Sequence, residues 1–202
     1  MRTWHPVILF AVVAQMLGGS AHAAISASLK KAMRVPTNPV VLLQTSLGDM
    51  TIELFSKEAP KTTANFLAYA KDKHYDGTIF HRVMPNFMIQ GGNLDKDLKA
   101  RQTRQTVTNE ASNGLSNKRG TMAMARTSDP NSATDQFFIN LKDNTFLDKE
   151  HDRAGVGYAV FGQVIAGMEI VEKIAGVKTA PTAISEAQPL THVMIRSAAI
   201  LQ

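Results

Sequence analysis

Short apolar runs bounded by turn residues recur along the chain from Val40 almost to its end. This pattern predicts β-strands, because side chains alternate between the two faces of a strand and because turns favour Gly, Pro, Asn and Asp. The first two runs flank Ser46-Leu47-Gly48-Asp49, which predicts a hairpin in which Gly48 takes a special backbone angle. The predicted strands comprise residues 40–45, 50–55, 80–83, 87–90, 120–125, 136–140, 158–165 and 192–201.

Two segments have the pattern of a helix. The first opens at Ala59-Pro60, since proline is favoured in the first turn, and we expect one side of it to pack on a hydrophobic surface. The side chains assigned to that side are Ala64, Leu67, Ala68 and Lys71, with Phe66 and Tyr69 adding apolar area. The second helix comprises residues 168–175 and ends at Gly176. Residues 94–109 are polar and lack periodicity, which predicts a long surface loop.

Strands and helices do not alternate along the chain, and no internal repeat is present. Many strands with two helices predict an all-β, mainly antiparallel fold, in which a closed barrel is capped by the two helices. With 202 residues, of which 44% are hydrophobic and 19% charged, the chain has the composition of one soluble globular domain. Cysteine is absent, so no disulfide contributes. The six histidines include no pair at metal-ligand spacing, so we expect no metal site.

The first 23 residues have the layout of a secretory signal. Arg2 provides a positive start, residues 7–17 are mostly apolar, and Ala21-His22-Ala23 offers small residues before a cut. An uncleaved membrane anchor is the alternative, but the apolar run is too short to cross about 30 Å of hydrocarbon. No later segment is apolar enough to span a membrane. We expect export, cleavage after Ala23 and no membrane insertion of the remaining chain.

Residues 24–39 contain basic residues and no acidic ones, so they contribute much of the formal net charge of +5. No aromatic residues are interleaved with the basic ones, so nucleic-acid binding is not expected. Pro36 and Pro39 favour an extended chain. We therefore predict a flexible, solvated linker before a domain that comprises residues 40–202. The basic residues of the linker are Lys30, Lys31 and Arg34.

The segment from Phe80 to Gly92 combines a cation, an amide and bulky apolar groups. If two strands are joined by a turn at Pro85-Asn86, then Arg82, Met88 and Gln90 line one concave surface, with Phe87 at the bend. An isolated arginine on a strand is more often a solvated charge. Here the full run reads Phe-His-Arg-Val-Met-Pro-Asn-Phe-Met-Ile-Gln-Gly-Gly, and a run of this length in fixed register rarely arises by chance.

This run closely resembles the signature of the cyclophilins, the barrel-shaped peptidyl-prolyl cis/trans isomerases, and the resemblance extends over residues 40–201. It implies an eight-stranded barrel, a catalytic role for Arg82, a substrate-orienting role for Gln90, and no cofactor. The strand at residues 122–125 matches the one that binds peptide by edge pairing, and Phe137 is expected to point to the core. The positions that match the family's substrate-binding residues are Phe87, Met88, Ala123, Met124, Ala125, Gln136, Phe138, Phe146, Leu147 and Tyr158.

Two aromatic positions depart from the best-known eukaryotic cyclophilins. Phe146 stands where those proteins have Trp, and Tyr158 stands where they have His. The missing indole N–H is a donor that they use for the cyclic peptide cyclosporin, so we expect weak binding of this drug. The loop at residues 149–157 is longer than in compact members. Together with the export signal and Met124-Ala125-Arg126-Thr127, the two substitutions resemble the periplasmic bacterial branch.

We expect a periplasmic monomer that acts on unfolded or Pro-containing polypeptides. Rotation about an X-Pro bond meets a barrier of about 18–20 kcal/mol, and an arginine N–H suits the lone pair that nitrogen gains when conjugation is lost. A non-catalytic chaperone or peptide-binding module is the main alternative. A barrel that stores a small apolar ligand is disfavoured, because the polar groups would then lie inside the barrel. No Ser/His/Asp set, carboxylate pair or phosphate loop accompanies the motif to support hydrolysis or phosphoryl transfer.

Overall fold

The computed structural model describes residues 26–202. The elements in chain order are α1 (Ala27–Ala32), β1 (Val40–Thr45), β2 (Gly48–Leu54), α2 (Pro60–Lys71), β3 (Thr78–Met84), β4 (Met88–Asp95), β5 (Thr121–Met124), β6 (Phe137–Asn140), a 3₁₀ turn (Thr145–Leu147), β7 (Val160–Ala166), α3 (Met168–Ala175), β8 (Thr179–Ala180), β9 (Gln188–Pro189) and β10 (Val193–Ile200). Eight strands close into a barrel in the order β1-β10-β3-β4-β6-β5-β7-β2, while β8 and β9 pair separately. The predicted antiparallel barrel with two main helices, α2 and α3, is confirmed; α1, β8 and β9 were not predicted.

The barrel closes because strands bend where their register shifts. In β3 the register shifts on both sides of Phe80, and such bulges increase the local twist. A Cβ at Gly91 would lie 2.8 Å from the carbonyl oxygen of Ile79, and Gly92 has a φ of +107°. Gly91 therefore allows β3 and β4 to approach closely at this bend, and Gly92 takes a positive φ that favours glycine. This explains why the sequence motif ends in Gly-Gly.

Alternation along the strands divides the apolar side chains into two clusters. The larger cluster fills the barrel interior and includes Met122, Phe137 and Ile139. Because neighbours along a strand point to opposite faces, Ala123 and Phe138 lie on the outside of the barrel. We call their group the outer cluster. Its buried members are Phe55, Met88, Ala123, Phe138, Leu147 and Val160.

α2 packs on the barrel through a face that differs from the predicted one. Aromatic packing decides the orientation, since Phe66 stacks on Tyr75 with ring centroids 4.8 Å apart and meets Phe137 edge-on. Aromatic rings bury more apolar area than alanine does, and they turn the helix accordingly. The prediction of Ala64, Leu67, Ala68 and Lys71 as the inner side is therefore wrong. The buried side chains of α2 are Thr62, Thr63, Phe66, Tyr69 and Ala70.

A buried carboxylate, Glu53 of β2, holds the segment before the barrel. It accepts hydrogen bonds from the backbone N–H groups of Arg34 and Val35 at 2.7 and 2.8 Å. Asn38 Nδ2 and Gln163 Nε2 donate to it at 2.8 and 3.1 Å. These donors compensate a charge that would be costly to bury alone. The prediction of a flexible linker is therefore wrong for residues 33–39, although Arg34, Pro36 and Thr37 are exposed to solvent and α1 buries no side chain.

The secretory signal predicted for residues 1–23 lies outside the described residues. Within residues 26–202, no helix combines the length and the apolar character that crossing a membrane requires.

Removal of residues 1–39 should lower the free energy of unfolding by about 1–3 kcal/mol, because Glu53 loses all but one of its hydrogen-bond donors. Urea denaturation measures this loss. A chain that starts at Met33 is the matched control, because it lacks α1 but keeps every donor to Glu53. It should be as stable as a chain that starts at Ser26. Equal stability of the chains starting at Met33 and Val40 would contradict the role of Glu53.

Candidate active site

A row of side chains crosses five neighbouring strands on the outside of the barrel. Directly opposed residues of antiparallel strands lie on the same face. The register pairs Arg82 of β3 with Gln90 of β4, and Gln90 with Phe138 of β6. Phe138 opposes Ala123 of β5, which in turn opposes Val160 of β7. The sequence motif therefore places a cation and an amide at one end of an apolar row.

The guanidinium of Arg82 is held on two sides. Its Nη1 donates to Gln90 Oε1 at 3.2 Å, and Gln90 Nε2 donates to Gln136 Oε1 at 2.9 Å. On the other side, Nε and Nη2 both donate to Glu186 Oε1, at 3.0 and 2.5 Å. The Arg82 side chain is 29% exposed, and its Cζ lies 5.9 Å from the centre of the Phe87 ring. The charge is thus fixed at the rim of the site.

A pocket with a volume of about 170 Å³ lies beside Arg82. Phe138 meets Tyr158 edge-on at 5.7 Å, and Phe87 stacks on the exposed Phe146 at 5.8 Å. Six of the nine lining residues are apolar or aromatic and the other three are polar or charged, so the pocket suits a small apolar ring that is attached to a polar chain. The lining residues are Arg82, Phe87, Met88, Gln90, Ala125, Arg126, Phe138, Leu147 and Tyr158.

Comparisons with known proteins agree with this geometry. Residues 40–200 match the family model described as cyclophilin type peptidyl-prolyl cis-trans isomerase/CLD. A peptidyl-prolyl cis-trans isomerase of Acinetobacter baylyi is 49% identical over 191 residues, which cover 93% of this chain and 94% of the relative. Peptidyl-prolyl cis-trans isomerase B of Escherichia coli is 46% identical over 162 residues, which cover 80% of this chain and 99% of the relative.

The fold has a solved relative as well. A crystal structure of a cyclophilin type isomerase from Cryptosporidium parvum, in the presence of the dipeptide Ala-Pro, matches with a TM-score of 0.69 and 28% identity. The match covers 80% of this chain and 98% of that chain. The chain belongs to the cyclophilin family. Its activity is that of a peptidyl-prolyl cis-trans isomerase, as the sequence motif predicted.

Most residues that were predicted for the site of this cyclophilin line the pocket. Gln136 and Phe146 lie one contact away, since Gln136 accepts a hydrogen bond from Gln90 and Phe146 stacks on Phe87. Ala123 is fully buried in the outer cluster. The substrate-binding roles of all these residues stay predictions. The predicted residues in the lining are Arg82, Phe87, Met88, Gln90, Ala125, Phe138, Leu147 and Tyr158.

One expectation about β5 needs correction. Alternation turns the side chain of Met124 into the barrel interior, where it packs in the main core with Met122 and lies away from the pocket. At Met122 and Ala123, β5 already pairs with β6 on one side and with β7 on the other, because closing the barrel uses both edges there. Edge pairing of a peptide with residues 122–125 stays a prediction, and it concerns the end of the strand at Met124 and Ala125.

The pocket wall includes Arg126, which was not among the predicted site residues. Its Cζ lies 4.3 Å from the centre of the Tyr158 ring, and its Nε donates to the carbonyl oxygen of Gly157 at 3.1 Å. Asp152 lies 3.9 Å from Arg126. Hydrogen bonds from the backbone N–H groups of Gly157 and Val156 lower the pKa of Asp152, so the carboxylate is charged at neutral pH. The long loop at residues 149–157 thus holds one wall of the pocket.

Glu186 is the second charged residue that sequence reasoning missed. It lies 104 positions after Arg82, outside every motif of the chain. Only the contact between β9 and β3 brings its loop to the site. No periodicity or spacing in the sequence marks such a contact.

Arg82 has an uncharged neighbour on the other side of β3. His81 is buried, and burial, followed by the charge of Arg82, lowers its pKa to about 4. The imidazole is therefore neutral near pH 7 and adds no second positive charge behind the guanidinium. Within the described part of the chain, no three His, Asp or Glu side chains are grouped as metal ligands would be.

A buried amide ties the turn that carries Phe87 to the loop that carries Phe146 and Leu147. Asn144 Nδ2 donates to the carbonyl oxygen of Phe87 at 2.8 Å. The backbone N–H of Leu141 donates to the same oxygen at 2.9 Å. These bonds hold the two sides of the pocket rim at a constant separation.

Proposed function

We propose that this cyclophilin accelerates rotation about X-Pro bonds during the folding of exported proteins. In this proposal Arg82 stabilises the twisted amide, and no covalent intermediate forms. The observation that carries the proposal is a fixed guanidinium beside an apolar pocket. The pocket lining contains no carboxylate, histidine or cysteine, so rotation is the chemistry that it supports best.

The twisted amide lies about 18–20 kcal/mol above the planar ground state. In the twisted state the nitrogen is no longer conjugated with the carbonyl group and has a localised lone pair. A guanidinium has five N–H donors, of which Gln90 uses one and Glu186 uses two, so two remain. Directed at the prolyl nitrogen and a neighbouring carbonyl, these two donors stabilise charge that develops only in the transition state.

The pocket supplies the anchor for this rotation. Met88, Phe138 and Leu147 offer an apolar surface for the proline ring, while the carbonyl that precedes proline stays outside and turns. The Cryptosporidium parvum relative was crystallised in the presence of Ala-Pro, which supports a proline-sized ligand here. Gln90 and Gln136 form a polar margin along the row and orient the substrate backbone.

Arg82→Ala should lower kcat/KM for a proline-containing tetrapeptide about a hundredfold, because the donors aimed at the twisted amide are lost. Stability should change little, since the partner of Arg82 in the ion pair, Glu186, is 60% exposed and such pairs contribute little to stability. A cis/trans relaxation assay measures the rate, and circular dichroism reports the fold. The matched control is Arg119→Ala, which removes the arginine of an exposed ion pair with Glu172 and should leave the rate unchanged.

The same variant separates catalysis from the alternative role as a chaperone. If the Arg82→Ala protein assists the refolding of a proline-limited protein as well as the wild type does, the chaperone role is favoured. Loss of both activities supports the isomerase mechanism, because retention of a peptide needs the apolar pocket but not the cation.

We also propose that cyclosporin binds weakly, because Phe146 lacks an N–H donor at the rim. Phe146→Trp restores this donor at a position that is 54% exposed and should tighten binding about tenfold. Isothermal calorimetry measures both affinities. A Kd of the wild type below about 1 μM would refute the proposal.

We further propose that the protein works in the periplasm. The support is the signal-like pattern of the first 23 residues. Expression of the full chain in a Gram-negative host should yield a periplasmic protein whose N-terminal sequence begins at Ala24. Recovery of the uncleaved chain from the cytoplasm would contradict export, whereas an uncleaved chain in the membrane fraction would support the anchor.

A further inference from the structure

The loop between β8 and β9 carries a carboxylate to the guanidinium of Arg82. It docks on β3, because Val83 N donates to the carbonyl oxygen of Ala187 at 2.9 Å. Within the loop, Thr182 N donates to the carbonyl oxygen of Ser185 at 2.8 Å, and Ala187 N donates to Ser185 Oγ at 3.2 Å. The pairing of β8 with β9 closes the loop at its base. The backbone around Glu186 is therefore held in place by hydrogen bonds within the loop and to β3.

Glu186 and Gln90 together use three of the five N–H donors of Arg82. Glu186 Oε1 accepts from Nε and Nη2, and Gln90 accepts from Nη1. Because a guanidinium is planar, acceptors at two of its edges restrict its rotation. Without Glu186, a single hydrogen bond to Gln90 would have to restrain a long side chain that has several rotatable bonds.

We propose that Glu186 is a positioning residue, which orients Arg82 so that its two remaining N–H groups point at the prolyl amide. This inference rests on the role of Arg82 in the proposed function. Orientation is the relevant effect, because the Glu186 side chain is 60% exposed and water and salt screen the attraction between exposed charges. A small misplacement of a catalytic donor lowers the rate, by up to about a hundredfold for a shift near 1 Å.

Two substitutions separate orientation from charge. Glu186→Ala removes the acceptor and should lower the rate of rotation on the enzyme about five- to twentyfold, with the Kd for peptide within about twofold of the wild type. Glu186→Gln keeps an acceptor oxygen without the charge and should stay within about threefold of the wild type. Exchange NMR with a proline-containing peptide measures binding and rotation separately.

The matched control is Glu172→Ala. Glu172 is 56% exposed and pairs with Arg119 away from the pocket, so its loss should change neither rate nor Kd. Hydrogen exchange of the Arg82 Nε–H gives a direct reading of orientation, and Glu186→Ala should accelerate it. The Nε–H of Arg126, which donates to Gly157, is the internal reference and should exchange as before.

A rate of Glu186→Ala that equals or exceeds that of the wild type overturns the inference. It is also overturned if Glu186→Gln is as slow as Glu186→Ala, because charge would then matter instead of orientation. An inactive wild type, or an Arg82→Ala protein that keeps its activity, refutes the proposed function itself. The two failures are therefore distinguishable.

Discussion

The register between β3 and β4 is the constraint on which the site depends. Val83 opposes Ile89 inside the barrel, and Arg82 opposes Gln90 outside it. A slip of one residue would exchange the two faces and turn the arginine into the core. The burial of the apolar pair therefore fixes the position of the polar pair. Catalytic geometry here is a consequence of core packing on the reverse side of the same strands.

The position of Phe138 at the base of the pocket also depends on core packing on the reverse side of its strand. Phe137 packs edge-on against Phe66, Tyr75 and Phe80 in the interior, and its neighbour Phe138 is thereby held in the outer cluster. A densely packed interior resists deformation, so the apolar floor is rigid. Two loops complete the rim. The loop at residues 149–157 binds Arg126, which lies over the ring of Tyr158, and the loop between β8 and β9 carries Glu186 to Arg82.

Both arginines in the pocket lining have carboxylate partners from distant loops. Arg82 pairs with Glu186, and Arg126 lies near Asp152. Because His81 is neutral at pH 7, the site presents directed N–H donors with little net charge. This arrangement suits a substrate that is itself an uncharged amide, since such a substrate is recognised by the direction of donors more than by a long-range field.

The sequence by itself determined the eight strands, both main helices and the residues of the central motif, because strand alternation, turn chemistry and helix starts are local. Alternation placed Arg82, Met88 and Gln90 on one surface, with Phe87 at the bend, and the rest of the pocket was predicted from the resemblance of the motif to the cyclophilin signature. Tertiary structure alone decided the inner face of α2, the inward turn of Met124, the docking of residues 33–39 on Glu53, and the arrival of Glu186 at Arg82. Each of these depends on contacts between segments far apart in the chain. No local pattern encodes the partner that a side chain meets after the barrel closes.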